Sequence, residues 1–419
     1  MEPGRSFQLM LNEYLPLELL NNEWQKRDYV YQKVTKKDNW KGGSLIVPFE
    51  GQQATSVEFG QLAADTDIAQ DDFIRGTITV QPEVWASMKF NHRDLMEHDG
   101  KIPESTFLRI LPNRINTMME YFKMAASVNM LNGPHFAKLT VSGTVGGVIE
   151  VDRVDRFQLS QKVVLIDGNT AAGTYYVIGI DVNGGSLLSG AVTLSATRGG
   201  AAADVSAYTT GQNAKVYHPG AATAGFTSLE SQLLSLANGG STTLFGQTKT
   251  AYQFLQAVQI DGSAVSASNI LQKIFDGYTR RMILGKGGQA PEVLMSFKHF
   301  GSCMKLLETQ KGAFNVVPNS RKTSVYGWDT IEVGSVSGQM LKLVGIQEKS
   351  DDTIMYLDWE GISFYSNGGI KRRTAPDGKQ YFELRATTGY SYVLDHCLFG
   401  DIVCERPSSQ AIMYGIPNY

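Results

Sequence analysis

The last quarter of the chain constrains its fold most. From Thr353 to Val403 the sequence runs TIMYLDWEGISFYSNGGIKRRTAPDGKQYFELRATTGYSYVLDHCLFGDIV. An apolar strand ends in the acidic-aromatic step Tyr356 to Trp359, and the polar triplet Asn367, Gly368, Gly369 predicts a turn. A basic strand, Ile370 to Arg373, follows. Asp377-Gly378 predicts a hairpin, and two long apolar strands close the run. This segment must be sheet, and none of its residues forms a catalytic set.

The 419 residues suit two or three compact units. With 42% hydrophobic and 19% charged residues the chain can bury a core, which excludes a disordered protein. A net charge of −3 argues against a direct grip on nucleic acid, which needs many uncompensated Lys and Arg. Cys303, Cys397 and Cys404 are too few and too dispersed for a disulfide framework, and are expected as free buried thiols. The start, MEPGRSFQLMLNEYL, lacks a basic region followed by an apolar one, so no signal peptide is expected. No apolar run reaches 18 residues, so no transmembrane helix and no membrane partner are expected.

Along the chain, residues 1–41 read as an arm containing a helix. Leu17, Leu20, Trp24, Tyr31 and Val34 lie on one side, and Lys26, Arg27, Lys33, Lys36 and Lys37 on the other, which is read as solvated, the alternative being a face laid on a neighbouring copy or on DNA. Residues 42–90 read as a long hairpin whose arms lack an obvious partner within the chain, with the alternation Ile74, Gly76, Ile78, Val80 on its return strand. Residues 91–134 hold the clearest helix. Ile115, Met118, Met119, Phe122, Ala125 and Ala126 form its apolar stripe, Pro112 starts or kinks it, and Gly133-Pro134 ends it. Residues 135–220 are rich in Gly, Ala, Ser, Thr and Val. Turn signals at Gly146-Gly147, Asp167-Gly168, Asn183-Gly184-Gly185 and Gly199-Gly200 separate short strands, which predicts a small β-barrel or sandwich, a loose loop being the alternative. Residues 221–350 alternate helix and strand. Leu271, Ile274, Phe275, Tyr278 and Met282 line one side of a helix, and Gly285 caps it. Residues 351–419 are the closing strands. The fold class is α+β.

The search for chemistry finds little. Gly285 to Ala290 fits a dinucleotide-binding spacing, but it ends a helix where that motif must open one. His92 and His98, with Asp94, Glu97 and Asp99, read as a polar loop rather than a metal site. Asp181-Val182-Asn183-Gly184 begins like a calcium loop and lacks the remaining ligands. No catalytic residue, cofactor or metal is expected. Charge is more informative. Glu50, Glu58, Asp65, Asp67, Asp71 and Asp72 make the hairpin acidic, and no lysine lies between Gly42 and Met88. Lys371, Arg372 and Arg373 are basic, with Lys379 and Arg385 nearby. One acidic projection and one basic strand predict complementarity between copies, the alternatives being that both are solvated or that they meet within one subunit.

The order arm, hairpin loop, long helix, β insertion, alternating helix–strand domain and closing strands resembles the major capsid proteins of tailed bacteriophages, the Hong Kong 97-type fold. The resemblance covers nearly the whole chain in order, although no single motif is specific. It implies an N-terminal arm, an extended loop lying over the adjacent subunit, a spine helix in a peripheral domain, an inserted all-β domain and an axial domain. It also implies the function: copies form hexamers and pentamers that build an icosahedral shell around double-stranded DNA, without catalysis and without sequence-specific DNA contact. The partners are then the chain itself, with scaffolding, portal and decoration proteins as further candidates. The location is the virion, assembled in the bacterial cytoplasm, with no scaffolding segment expected at the chain's start. Glu50, Glu58, Asp65, Asp67, Asp71, Asp72, Ile74, Ile78, Lys371, Arg372 and Arg373 are the expected intersubunit contacts. An encapsulin-like nanocompartment shell and a glycan-binding virion surface protein are the alternatives.

Overall fold

The computed structural model describes residues 28–38, 40, 42–50, 73–79, 81–91, 106–168, 172–182, 189–210, 213–285, 291–309, 328–334, 340–386 and 389–417. The chain divides into two compact units, Met1–Ser127 with Leu229–Tyr419, and Val128–Ser228.

The first unit opens with the short helix α1 (Tyr29–Lys33). Asp28 caps it, accepting the Tyr31 N–H at 3.0 Å, while its second carboxylate oxygen accepts from Ser127 Oγ. Strand β1 (Thr35–Lys37) follows, then the antiparallel pair β2 (Leu45–Glu50) and β3 (Phe73–Ile78), then β4 (Glu83–Asn91). Helix α2 (Thr106–Asn132) is the longest element, and Pro112 lies inside it rather than at its start. Met119, Phe122 and Ala126 of the expected stripe are buried.

The second unit is built on a closed six-stranded barrel: β5 (His135–Val141), β6 (Val148–Val151), β7 (Lys162–Ile166), β8 (Gly173–Asp181), β9 (Gly190–Ser195) and β10 (Lys215–Tyr217), in the order β10-β5-β6-β9-β8-β7. Every neighbouring pair is antiparallel. Ile149, Val151, Val163, Leu165, Val177, Val192, Leu194 and Val216 alternate inward and fill it, as strand periodicity requires. Closure removes the open edges of a small sheet. The entry strand β5 lies beside the exit strand β10, His135 opposite Tyr217. The short helix α3 (Ala221–Ala224) follows the barrel.

The remaining elements belong to the first unit. They are α4 (Leu229–Leu233), the small hairpin β11 (Thr243–Leu244) and β12 (Gln247–Thr248), β13 (Val258–Asp261), α5 (Ile270–Leu284), β14 (Glu292–Ser296), α6 (Phe297–Thr309), β15 (Trp328–Gly334), β16 (Met340–Ile346), β17 (Ile354–Leu357), β18 (Ile362–Arg372), β19 (Phe382–Ala386), β20 (Gly389–Cys404) and β21 (Ala411–Tyr414). A six-stranded mixed sheet, β13-β21-β17-β14-β16-β15, carries α5 and α6 on a common core that includes Ile274, Tyr278, Phe300, Cys303, Val293 and Leu343. A second sheet centres on β20. This strand takes β4 along one edge, and β18 and β19 end to end along the other, while β1 joins the far side of β18 in parallel.

Three expectations change here. Asn367, Gly368 and Gly369 form no turn. They are a bulge inside the continuous strand β18, since Ser366 faces Gly400 and Ile370 faces Leu398. Gly368 and Gly369 take φ of 90° and 71°, which suits glycine. Asp377-Gly378 sits in a tight turn, closed by the Gly378 N–H on the Ala375 carbonyl, but its flanking strands do not pair with each other. The hairpin partner of β19 is β20, Ala386 opposite Gly389. Met282 lies outside the core: with Ile283 and Leu284 it makes an exposed apolar end to α5.

Candidate assembly surfaces

The base of the acidic hairpin packs on its own subunit. Leu45, Val47 and Phe49 point inward from β2 and Ile78 from β3, into a cluster with Trp40, Leu244, Leu255, Tyr365 and Val403. The Phe49 ring stacks on Phe245 at 6.2 Å, the Thr77 N–H donates to the Phe245 carbonyl at 2.8 Å, and Gln247 Nε2 donates to the Arg75 carbonyl at 2.8 Å. Burial of each such large apolar side chain contributes about 1.5–3 kcal/mol. The expectation of a hairpin without an intramolecular partner therefore fails at its base. Ile78, expected between subunits, is buried in the subunit's own core, and Ile74 is half-buried opposite Phe49. Glu50 ends β2. Glu58, Asp65, Asp67, Asp71 and Asp72 lie outside the described residues, as do His92, His98, Asp94, Glu97 and Asp99.

The basic strand splits by strand alternation. Arg372 lies opposite His396, which is fully buried. Its Nε donates to His396 Nε2 at 3.4 Å and its Nη1 to Gln380 Oε1 at 2.5 Å. Burial, then the Arg372 charge, push the His396 imidazole down to about 3, so it is neutral. Arg372 thus works inside the subunit, against the expectation of an intersubunit contact. Lys371 and Arg373 belong to the opposite face, with Cys397 and Asp395. Arg373 keeps a side chain 56% exposed. It pairs with Asp395 at 3.7 Å and lies over the rings of Phe382 at 4.5 Å and Trp85 at 6.0 Å. Trp85 and Leu384 are exposed on the same face. This face is a shallow apolar surface with cations on it.

The arm's basic side is not simply solvated. Lys33 Nζ reaches Glu292 at 2.8 Å and Lys37 Nζ reaches Glu405 at 2.5 Å. Glu292, at the start of β14, is a hub that the sequence reading missed. Its Oε1 accepts from Lys33 and, at 2.9 Å, from Lys342, while its Oε2 accepts from Tyr29 OH at 2.5 Å and Trp359 Nε1 at 2.6 Å. Burial alone would raise the Glu292 carboxyl, but the bonds from Lys33, Tyr29 and Lys342 outweigh it and hold the group down to about 2. The four donors come from positions 29, 33, 342 and 359, so no local pattern announces the hub. Two buried ammonium groups complete the framework: Lys349 against Glu230 at 3.2 Å, and Lys249 on the carbonyls of Ser231, Gln232 and Leu234 at 2.7–3.0 Å, which closes the end of α4. Among the described residues no cluster of metal-ligating side chains occurs, and no helix is long and apolar enough to cross a membrane.

No family model and no curated protein matches this chain. Solved structures do. A chain of the cyanophage A-1(L) capsid asymmetric unit aligns over 92% of this chain and 91% of its own, with a TM-score of 0.50 at 10% identity. The fold is that of a phage capsid subunit of the Hong Kong 97 type. Weaker likenesses are the capsid of the myovirus XM1, with a TM-score of 0.41 at 9% identity over 93% and 92% of the two chains, and a virus-like particle from Pyrococcus furiosus, with 0.38 at 6% over 94% and 96%.

Proposed function

We propose that this protein is the major capsid protein of a tailed phage. It self-assembles as hexamers and pentamers into an icosahedral shell around double-stranded DNA, in the bacterial cytoplasm, and resides in the virion. No catalytic reaction is assigned to it. The observation that carries this reading is the end-to-end alignment with the cyanophage A-1(L) capsid chain, which leaves under a tenth of either chain unmatched. Six-part organisation into arm (1–41), hairpin loop (42–90), peripheral domain with spine helix (91–134), β-rich insertion (135–220), axial domain (221–350) and closing strands (351–419) belongs to the same proposal. The portal, scaffolding and decoration proteins would be its virion partners.

Between copies, the acidic segment 51–72 of one subunit is proposed to meet the cationic sheet face of the next, where Lys371 and Arg373 stand beside Trp85 and Phe382. Charge complementarity supports this: the segment carries Glu58, Asp65, Asp67, Asp71 and Asp72 without a lysine or arginine.

The test is electron microscopy of the purified protein, with nuclease-protected DNA assayed in particles from infected cells. Shells tens of nanometres wide, filled with protected DNA, are expected. Particles that hold a protein cargo and no DNA overturn the reading, and so does a protein that stays a 46.0 kDa monomer with every other virion protein supplied.

A further inference from the structure

Two short connectors carry the chain between the two sheets of the first unit. Asp358 to Gly361 joins β17 to β18, and Glu405 to Gln410 joins β20 to β21. The two crossovers are clipped together. The Asp358 N–H donates to Gln410 Oε1 at 2.7 Å, and Gln410 Nε2 donates back to the Asp358 carbonyl at 3.0 Å.

A third link between the sheets is not a crossover. Residues 28–37 run over both. Asp28 takes the Ser127 hydroxyl of α2 at one end. Tyr29 and Lys33 then grip Glu292 on the six-stranded sheet. At the other end β1 pairs with β18 of the second sheet, Thr35 opposite Ser363, and Lys37 donates to Glu405 on the second crossover and to Tyr365 OH at 3.1 Å. Trp359, in the first crossover, donates to the same Glu292 carboxylate, and its ring meets Tyr29 edge-on at 6.2 Å. One half-buried carboxylate therefore joins the arm, the six-stranded sheet and a crossover.

We propose that residues 28–37 are a strap that fixes the angle between the two sheets, with Glu292 as its buckle, and that loosening the strap lets one sequence adopt different subunit shapes. The second half rests on the shell reading; the first half does not. Glu292 suits the role because Lys33 and Lys342 share one of its oxygens. Without its charge two ammonium groups face each other with no anion between them, and like charges that close repel. Loss of the carboxylate thus undoes both cation contacts at once.

The experiment is hydrogen exchange on the full chain as unassembled subunits, followed by assembly and cryo-electron microscopy. In Glu292→Gln, exchange over residues 29–37 should rise about tenfold or more, while strands β17 and β20 and the barrel strands keep wild-type protection. Trp359 emission should shift, with Trp359→Phe identifying the signal, and shells should become mixed in size. If Glu292→Gln fails to fold, Tyr29→Phe with Lys33→Met removes both bonds from the strap to Glu292 while leaving it Lys342 and Trp359 as donors, and the same rise is expected. Unchanged exchange over 29–37, or a rise of equal size across both sheets, overturns the strap. A loosened strap with shells of one size overturns its role in subunit shape. Absence of any wild-type shell defeats the shell reading alone, since the exchange comparison on subunits still decides the strap.

Discussion

At the scale of single residues, two side-chain environments make measurable claims. Glu292 is held at about 2, from an ordinary 4.5. A carboxyl depressed on folding contributes stability that is fully present above its unfolded value and is lost as pH falls toward its folded one. The window is therefore about pH 4.5 down to 2, and the whole shift corresponds to about 3 kcal/mol. Denaturant unfolding of unassembled subunits at pH 6 and pH 3 should show wild type losing about 2 kcal/mol more than Glu292→Gln over that interval. Equal losses would mean that the carboxylate is not specifically held. Gly76 gives the second claim. A Cβ there would stand 2.5 Å from the Phe49 ring and 2.9 Å from Phe245 Cβ. Both rings belong to the packed hairpin base, so neither can swing clear without opening the cluster. Gly76→Ala should cost about 1–3 kcal/mol, read as a lower melting temperature. An unchanged melting temperature would contradict the packing of β2 and β3 on the subunit.

At the scale of elements, the barrel should fold alone. Its entry and exit strands are neighbours, His135 beside Tyr217, and the ring pairs His135–Tyr217 and Phe136–His218 bring the two ends together. A fragment covering residues 134–219 should show β-type circular dichroism and a cooperative melt, and excision with a short Gly/Ser linker should leave the two sheets of the first unit folded. A fragment without a cooperative transition would make the barrel dependent on the rest of the chain. The elements also show where sequence could and could not be read. Elements with strong periodicity, such as β2 and α5, lie where apolar spacing puts them, because burial of one face decides them locally. The Gly368-Gly369 step reads as a turn from the sequence because a bulge and a turn make the same local demand for positive φ. Only the register against β20 tells them apart, and that register depends on residues some thirty positions away. The same distance hid the Glu292 hub, Arg372 on His396, and the self-packed hairpin base. Each is made by residues that are remote in sequence.

At the scale of the whole molecule, the proposed shell turns on what would hold one copy to the next. A net charge of −3 leaves little repulsion between copies, so local patches decide the contact. The acidic segment 51–72 and the face bearing Lys371 and Arg373 are the pair proposed to meet between copies. Each exposed ion pair is worth about 0–1 kcal/mol, so none should matter singly. Repeated in every copy of a shell, the sum can decide whether assembly proceeds, and it should weaken as salt screens it over a Debye length of about 8–10 Å. Arg372 is unsuitable for the test, because it lies against buried His396 and its reversal would damage the fold. Arg373 also needs care, since a carboxylate there would face Asp395. The informative variant is therefore Lys371→Glu with Arg373→Gln, which changes the face and spares the sheet beneath it. Assembly yield at low salt should fall severalfold while circular dichroism and melting of the subunit stay near wild type. Adding Asp71→Lys and Asp72→Lys should restore part of the yield, because the opposed charges return in exchanged positions. Wild-type yield from the first variant at both low and high salt would leave these charges as solvated groups and transfer the adhesion to apolar surface such as Trp85 and Leu384.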